Sequence, residues 1–263
     1  MSTAADTFAA DARAAHSRPT RRFGRIVIVG GGCYGSYYLR QLGRAQRAGA
    51  AEWEELIVVD RDPMCAVSRL ASDDLPPRTR RVVAEWHQFF DDYLTAAVGD
   101  PARRDDAIVP SPLMPHLMAD WLAARARDRW PARTVRTEPL LAPPDVPWQR
   151  AGEDGTHYVS FAEWMCPINC IEPAKCPHTR GPRSWSLPVA VREYVDAEGR
   201  RGHALEPLVF HCSHRTHGVG MIDVADVVDA DAAIANTGTR PTASFLIGTV
   251  SHCHGALRRL VVG

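Results

Sequence analysis

The sequence predicts an α/β fold with a mostly parallel sheet, a helical insertion, and an irregular C-terminal part that is rich in cysteine and histidine. Three observations predict it. An apolar run at residues 26–29 leads directly into a glycine-rich turn and a helical pattern. A second apolar run ends in Asp60, and strand, helix and strand in this order favour parallel pairing. Three cysteines then crowd into residues 166–176.

The first elements follow from local patterns. Residues 25–29 are mostly β-branched and apolar, as is typical of a strand buried on both faces. Apolar residues within 34–47 recur at helical spacing and predict a helix. Residues 55–60 repeat the β-branched pattern and predict the second strand of the sheet.

Two further helices are predicted before the next strand. One covers 79–97, where valine and aromatic residues recur at helical spacing. The other begins at Ser111 as its N-cap, with Pro112 in its first turn. We expect both helices to form an insertion over about 79–128, and a short strand over 134–137 to return the chain to the sheet.

Four prolines mark 138–149 as the best candidate for a linker, because proline neither continues a helix nor serves a central strand. We therefore predict a disordered tail over 1–20, a first part over 21–138, and a cysteine- and histidine-rich part over 150–263 that completes the same body or forms its own. In the second part, the patterns predict strands over 157–161, 207–211 and 244–250 and a helix over 222–232.

Composition excludes several classes of function. The formal net charge is zero and no basic stripe is present, so nucleic acid is not an expected partner. No run of about 18 apolar residues is available to span a bilayer, and the first 20 residues lack the features of a signal peptide. We expect a cytoplasmic protein that acts on a small-molecule substrate or a redox partner, and we leave its oligomeric state open.

The glycine-rich turn carries the most specific signal. In the pattern Gly30-x-Gly32-x-x-Gly35, the first glycine permits a tight turn, the second a close approach of pyrophosphate, and the third close packing of helix on strand. The helix that follows would direct free N–H groups at the phosphates. The predicted cofactor-binding residues of this loop are Gly30, Gly31, Gly32, Cys33, Tyr34 and Gly35.

Residues 24–62 resemble the βαβ fingerprint of the Rossmann superfamily, which binds NAD(P) or FAD. The resemblance implies a Rossmann-like sheet and a dinucleotide on the loop. Asp60, at the end of the second strand, is suited to bind a ribose, and its carboxylate favours NAD because it repels the 2′-phosphate of NADP. Arg61 beside it could accommodate that 2′-phosphate, so NADP remains an alternative cofactor.

Other interpretations of the loop remain. It could tighten the fold without a nucleotide, or bind the adenosine of S-adenosylmethionine, although the three consecutive glycines are more typical of a dinucleotide site. Residues 233–241 resemble the ATGxRP segment of two-domain FAD-dependent oxidoreductases, with Asn236 where alanine is usual. The simpler interpretation of that segment is a surface turn rich in threonine, glycine and proline.

The cysteine cluster predicts a metal centre. Cys166, Cys170 and Cys176 lie at intervals of four and six in a proline-rich segment, which can wrap its thiolates around one centre. Cys212 is the preferred fourth ligand. The other candidates are His178, His211, His214, His217 and Cys253.

Zinc and a [4Fe–4S] cluster both suit these ligands, and a thiol redox pair or inert packing cysteines are further alternatives. Histidines 211, 214, 217, 252 and 254 follow two predicted strands, where ligands bind in open α/β sheets. We therefore expect an oxidoreductase with a bound dinucleotide, assisted by a metal or iron–sulfur centre. The alternative is a non-catalytic NAD or redox sensor with a structural zinc.

Overall fold

The computed structural model describes residues 19–140 and 142–263. Residues 1–18 of the predicted tail therefore lie outside the described residues. The strands are β1 (Arg21–Val29), β2 (Ala51–Asp60), β3 (Thr79–Val83), β4 (Ala107–Val109), β5 (Val135–Glu138), β6 (Trp148–Ala151), β7 (His157–Ser160), β8 (Glu206–His211), β9 (Ser213–Thr216), β10 (Val219–Asp223), β11 (Ala243–Val250) and β12 (His254–Val262). The α-helices are α1 (Cys33–Arg47), α2 (Trp86–Val98), α3 (Leu117–Arg129), α4 (Leu187–Arg200) and α5 (Val224–Ala235).

The first sheet has the strand order β3-β2-β1-β4-β10-β9. Strands β3, β2, β1 and β4 are parallel neighbours, whereas β10 runs antiparallel to both β4 and β9. The order 3-2-1-4 matches the first four strands of the order 3-2-1-4-5-6 of a doubly wound sheet. The predicted α/β class with a mostly parallel first sheet is therefore confirmed. The order reverses between β1 and β4, which is where such sheets bind ligands.

Alternate side chains of β1 enter different cores, because successive residues of a strand point to opposite faces. Ile26 and Ile28 pack with α1, whereas Val27 and Val29 pack with α2, α3 and α5. Both faces of the first sheet are thus buried, which explains the uninterrupted apolar run in the sequence.

The second sheet has the order β6-β7-β12-β11-β8, with β5 as a further partner of β12. Phe245 and Ile247 of β11 join the same core as Val27, while Leu246 and Val250 pack with α4 on the opposite face. Helices α2, α3 and α5 therefore lie between the two sheets. None of the helices in the part of the chain that the structure describes has the length and apolar character needed to cross a membrane.

The stretch 79–128 contains the two predicted helices, but it also contributes β3 and β4 to the first sheet. The prediction of a helix over 79–97 was wrong at its start, because 79–83 form β3 and α2 begins at Trp86. The β-branched Val82 and Val83 pair with β2 in the sheet.

Ser111 does not cap α3, which begins at Leu117. Its hydroxyl accepts the N–H of Leu113 at 3.2 Å, in a turn. Pro115 disfavours helical backbone at Met114, the residue before it, so the helix starts later than the sequence pattern indicated.

The predicted linker contains no helix or strand in its described residues between β5 and β6. It nevertheless packs on the body, because Leu140 and Val146 are buried against the second sheet. The strand expected over 134–137 is β5, and it pairs with β12 of the second sheet.

Candidate functional site

The glycine loop, residues 30–35, connects β1 to α1. Gly30 has a φ of +87°, a backbone conformation that glycine adopts without strain. A side chain at Gly35 would collide with the carbonyl oxygen of Gly30, so the missing Cβ lets α1 approach β1. A Cβ added at Gly32, by contrast, has no atom within 4 Å. Space is therefore open at the glycine that the sequence predicts to face pyrophosphate.

The amino end of α1 borders this open space. Gly32 is the N-cap residue, and no side chain caps the helix. The first N–H groups of an uncapped helix have no partner within the helix and, with its dipole, favour an anion. Cys33, which is exposed, and Tyr34, which is half-buried, supply two of these groups.

The carboxylate of Asp60 holds the loop from the end of β2. Its Oδ2 accepts the N–H of Gly31 at 2.6 Å and its Oδ1 accepts the N–H of Asp62 at 2.9 Å. Each oxygen keeps a further lone pair for a ribose hydroxyl. The guanidinium of Arg61 lies 5.9 Å from the ring centre of Trp86, whose ring borders Gly30.

Residues 65–69 also contact the loop, and no local sequence pattern predicts this contact. Val67 donates its N–H to the carbonyl oxygen of Gly31 at 2.9 Å. The Cys65 sulfur lies 2.5 Å from where a Cβ of Gly31 would be. One side of the glycine loop is therefore covered by the chain itself.

The cysteine loop, residues 161–186, connects β7 to α4 and contains one isolated β-bridge but no helix or strand. Burial raises the pKa of the Cys166 thiol, and the thiol of Cys170 beside it adds to this rise. The backbone N–H of Thr179 lowers the pKa of the Cys176 thiol. All seven cysteines lie within the described residues and are free thiols.

Glu172 anchors the cysteine loop to the turn between β11 and β12. Its carboxylate accepts the hydroxyl of Ser251 at 2.6 Å, the N–H of His252 at 2.9 Å and the N–H of Cys253 at 3.0 Å. Burial opposes ionisation, but these hydrogen bonds and the nearby His214 lower the pKa of Glu172 on balance. The carboxylate is thus negative at neutral pH.

Four of the five predicted histidines gather around Glu172. Nδ1 of His214 lies 3.9 Å from its carboxylate, and the rings of His211 and His252 meet edge to face with centres 4.9 Å apart. Nδ1 of His254 lies 2.9 Å from the hydroxyl of Ser160. Burial lowers the pKa values of His211, His214 and His254, so these imidazoles are neutral at pH 7. His217 is exposed at the β9–β10 turn and stands apart.

One cleft of about 800 Å³ extends from α1 to the cysteine loop, and Tyr34 is the one predicted glycine-loop residue among its lining; Asp60 lines a separate pocket with Cys65 and Val67. Tyr34 and Tyr38 of α1 line one part of the cleft, and the cysteine loop lines another. The predicted ligands that line the cleft are Cys166, Cys170 and Cys212, together with His214 and His254. Cys176 is buried outside its lining, and His178 stacks on Trp164 with ring centres 4.3 Å apart.

Sequence reasoning missed Tyr38, Ser160 and Glu172, which also line the cleft. Burial, with a contribution from the nearby Cys212, raises the pKa of Tyr38 to about 12. Burial likewise raises the pKa of Cys212 to about 12, so its thiol stays protonated unless a metal ion displaces the proton. No local pattern marks these residues, because their partners lie far away in the sequence.

Among the described residues, one group of at least three side chains has its potential ligand atoms within 4.8 Å of one another: His87, His116 and Asp120. The predicted cysteine ligands do not form such a group.

Residues 233–241, which resemble the ATGxRP segment of FAD-dependent oxidoreductases, do not line the cleft. The Gly238 and Arg240 carbonyls of this segment accept hydrogen bonds from Arg133, at 3.4 and 2.8 Å.

A known protein family matches the second half of the chain. The family model AF_1314_C, described as "Uncharacterized protein, C-terminal domain", matches residues 118–263. The chain belongs to this family. The AF_1314_C match begins in α3 and includes the second sheet, the cysteine loop and strands β8 to β10, but not the glycine loop. No curated protein and no solved structure matches the chain.

Proposed function

We propose that the protein is an oxidoreductase that binds a dinucleotide, NAD(P) or FAD, on the glycine loop and carries a metal or iron–sulfur centre on the cysteines. One observation carries the proposal: Tyr34 and Tyr38, from the helix that follows the loop, line the same cleft as Cys166, Cys170 and Cys212. A cofactor on the loop that extended past Tyr34 would enter the cavity that the cysteines line.

The loop itself supports the dinucleotide. Its open side at Gly32 adjoins the uncapped amino end of α1, which suits a pyrophosphate. Asp60 has lone pairs left for a ribose, and its negative charge favours NAD over NADP. The substrate is then a small molecule or a redox partner that enters the cleft, in a cytoplasmic protein.

Cysteine thiolates suit both an iron–sulfur cluster and zinc. The thiol of Cys170 lies beside that of Cys166, and both residues line the cleft together with Cys212. When bound, an iron–sulfur cluster would supply one-electron transfer, whereas zinc would link the segments that hold it.

Anaerobic purification followed by an absorption spectrum and analysis for iron, sulfide and zinc tests the metal centre. We expect broad visible absorption with iron and inorganic sulfide in the wild type, and loss of both in Cys166→Ser. Cys65→Ser is the matched control, since Cys65 lies outside the cysteine loop, and it should keep the cluster. Stoichiometric zinc in a colourless protein would remove electron transfer from the proposal, and no metal at all would overturn the metal centre.

A non-catalytic NAD or redox sensor with a structural zinc is the second candidate. It is favoured by Cys65, a free thiol that contacts Gly31 and whose oxidation would alter the loop. Turnover of NADH with any acceptor would support the enzyme. Binding of NADH without turnover across a broad panel of acceptors would support the sensor.

A further inference from the structure

Three potential metal ligands meet where α2 and α3 begin. His87 lies in the first turn of α2, His116 is the N-cap residue of α3, and Asp120 follows within the first turn of α3. One ligand atom from each lies within 4.8 Å of the other two. None of the three side chains lines the cysteine cleft.

The distances match those around a bound transition metal. Nε2 of His87 lies 3.1 Å from Oδ2 of Asp120, and Nε2 of His116 lies 3.5 Å from the same oxygen. At about 2.0–2.1 Å from a zinc ion, neighbouring nitrogen and oxygen ligands in a tetrahedron are separated by about 3.4 Å. An ion could therefore enter without moving either helix.

A buried arginine orients the carboxylate. Arg258, which is 5% exposed, pairs with Oδ1 of Asp120 and leaves Oδ2 to the two histidines. Its guanidinium also pairs with Asp154. Two carboxylates against one guanidinium leave one negative charge, which attracts a cation. An outer group that fixes a ligand in this way is typical of metal sites.

The chemistry of His116 also suits a ligand. Its side chain is 15% exposed, and its Nε2 faces Oδ2 of Asp120 at 3.5 Å. A partly buried imidazole nitrogen beside a carboxylate oxygen is a common pair of metal ligands.

We propose that His87, His116 and Asp120 bind one divalent transition-metal ion, with zinc as the expected ion. Three protein ligands leave a fourth position for water or a substrate oxygen, which distinguishes catalytic zinc sites from structural ones. The side chain of His87 is 58% exposed, so this position is accessible from solvent. The site is independent of the glycine loop and the cysteines.

Titration of the full-length, metal-free protein with Co²⁺ in the Cys166→Ser background, followed by absorption spectroscopy, tests the site apart from the cysteines. We expect d–d bands at one equivalent, without the thiolate charge-transfer bands that cysteine ligands would add. His87→Ala should weaken Co²⁺ binding by at least about 10–100-fold, the loss typical of removing even an outer-shell partner. This variant changes an exposed residue and should fold normally. Asp120→Asn is the second variant and should also weaken binding.

His203→Ala is the matched control. Nδ1 of His203 lies 3.0 Å from one carboxylate oxygen of Glu198, and the other oxygen pairs with Arg201. This group resembles the proposed site in having an arginine, a carboxylate and a histidine, but it lacks the second histidine. This variant should leave Co²⁺ affinity unchanged. Equal Co²⁺ affinity with and without His87→Ala in the Cys166→Ser background, or no d–d bands in that background, would overturn the site.

Discussion

Among single residues, Glu172 shows most clearly how one side chain holds the cleft together. Its side chain is 7% exposed and receives three hydrogen bonds from the turn between β11 and β12. The carboxylate therefore joins the cysteine loop to the second sheet and holds one wall of the cleft. Its φ of +51° lies in the left-handed region, which non-glycine residues seldom occupy.

We expect Glu172→Gln to lower the free energy of unfolding at pH 7 by about 1–3 kcal/mol, because the amide NH₂ cannot accept a hydrogen bond and leaves a buried donor without a partner. Urea unfolding measures this loss. Glu163→Gln, at an exposed position in the same loop, is the control and should change stability little. Equal stability of the two variants would contradict the role of Glu172.

The same variant has a predicted pH dependence. The folded protein lowers the pKa of Glu172 below its ordinary value of 4.5. The carboxylate thus stabilises the fold above that pH, and its contribution is lost as the pH falls through the folded-state pKa. The difference in unfolding free energy between wild type and Glu172→Gln should shrink in acid. A difference that grows below pH 4.5 would show that the sign is wrong.

At the scale of elements, the β1–loop–α1–β2 unit could be predicted because all its signals are local: two apolar runs, three spaced glycines and a helical pattern. Strand β12 could not be predicted from the sequence, because Arg258 and Arg259 interrupt its apolar pattern. The structure neutralises them with Asp120, Asp154 and Glu138, which are distant in sequence. Helix α4 does carry local signals, because Ser186 is its N-cap and Pro188 lies in its first turn.

Gly35 and Gly32 have different steric roles in the glycine loop, and substitution by alanine distinguishes them. Gly35→Ala would place a Cβ against the carbonyl oxygen of Gly30 and should destabilise the fold by about 1–3 kcal/mol. Gly32→Ala meets no atom and should change stability by about 0.5 kcal/mol or less. Both changes remove the backbone freedom of a glycine, so denaturant unfolding compares them directly. Similar losses in both would contradict this assignment.

At the scale of the whole molecule, two sheets share the core that α2, α3 and α5 fill, and the cleft brings Tyr34 together with Cys166, more than a hundred residues later. The sequence predicted the glycine and cysteine motifs separately. It could not predict that α1 and the cysteine loop line one cleft, because that depends on how the second sheet packs on the first. The candidate His87–His116–Asp120 site was missed for the same reason.

Binding of NADH, NADPH and FAD to wild type, Gly32→Val and Gly99→Val is the most direct test of the central claim. In both variants the new Cβ has no protein atom within 4 Å, and Gly32 lies on the loop whereas Gly99 does not, so a ligand on the loop would clash with Gly32→Val alone. We predict that wild type and Gly99→Val bind one of these dinucleotides with equal affinity, and that Gly32→Val binds it at least about tenfold more weakly, a loss of about 1.4 kcal/mol. Equal affinity in all three proteins, or no binding to the wild type, would contradict a dinucleotide on the glycine loop.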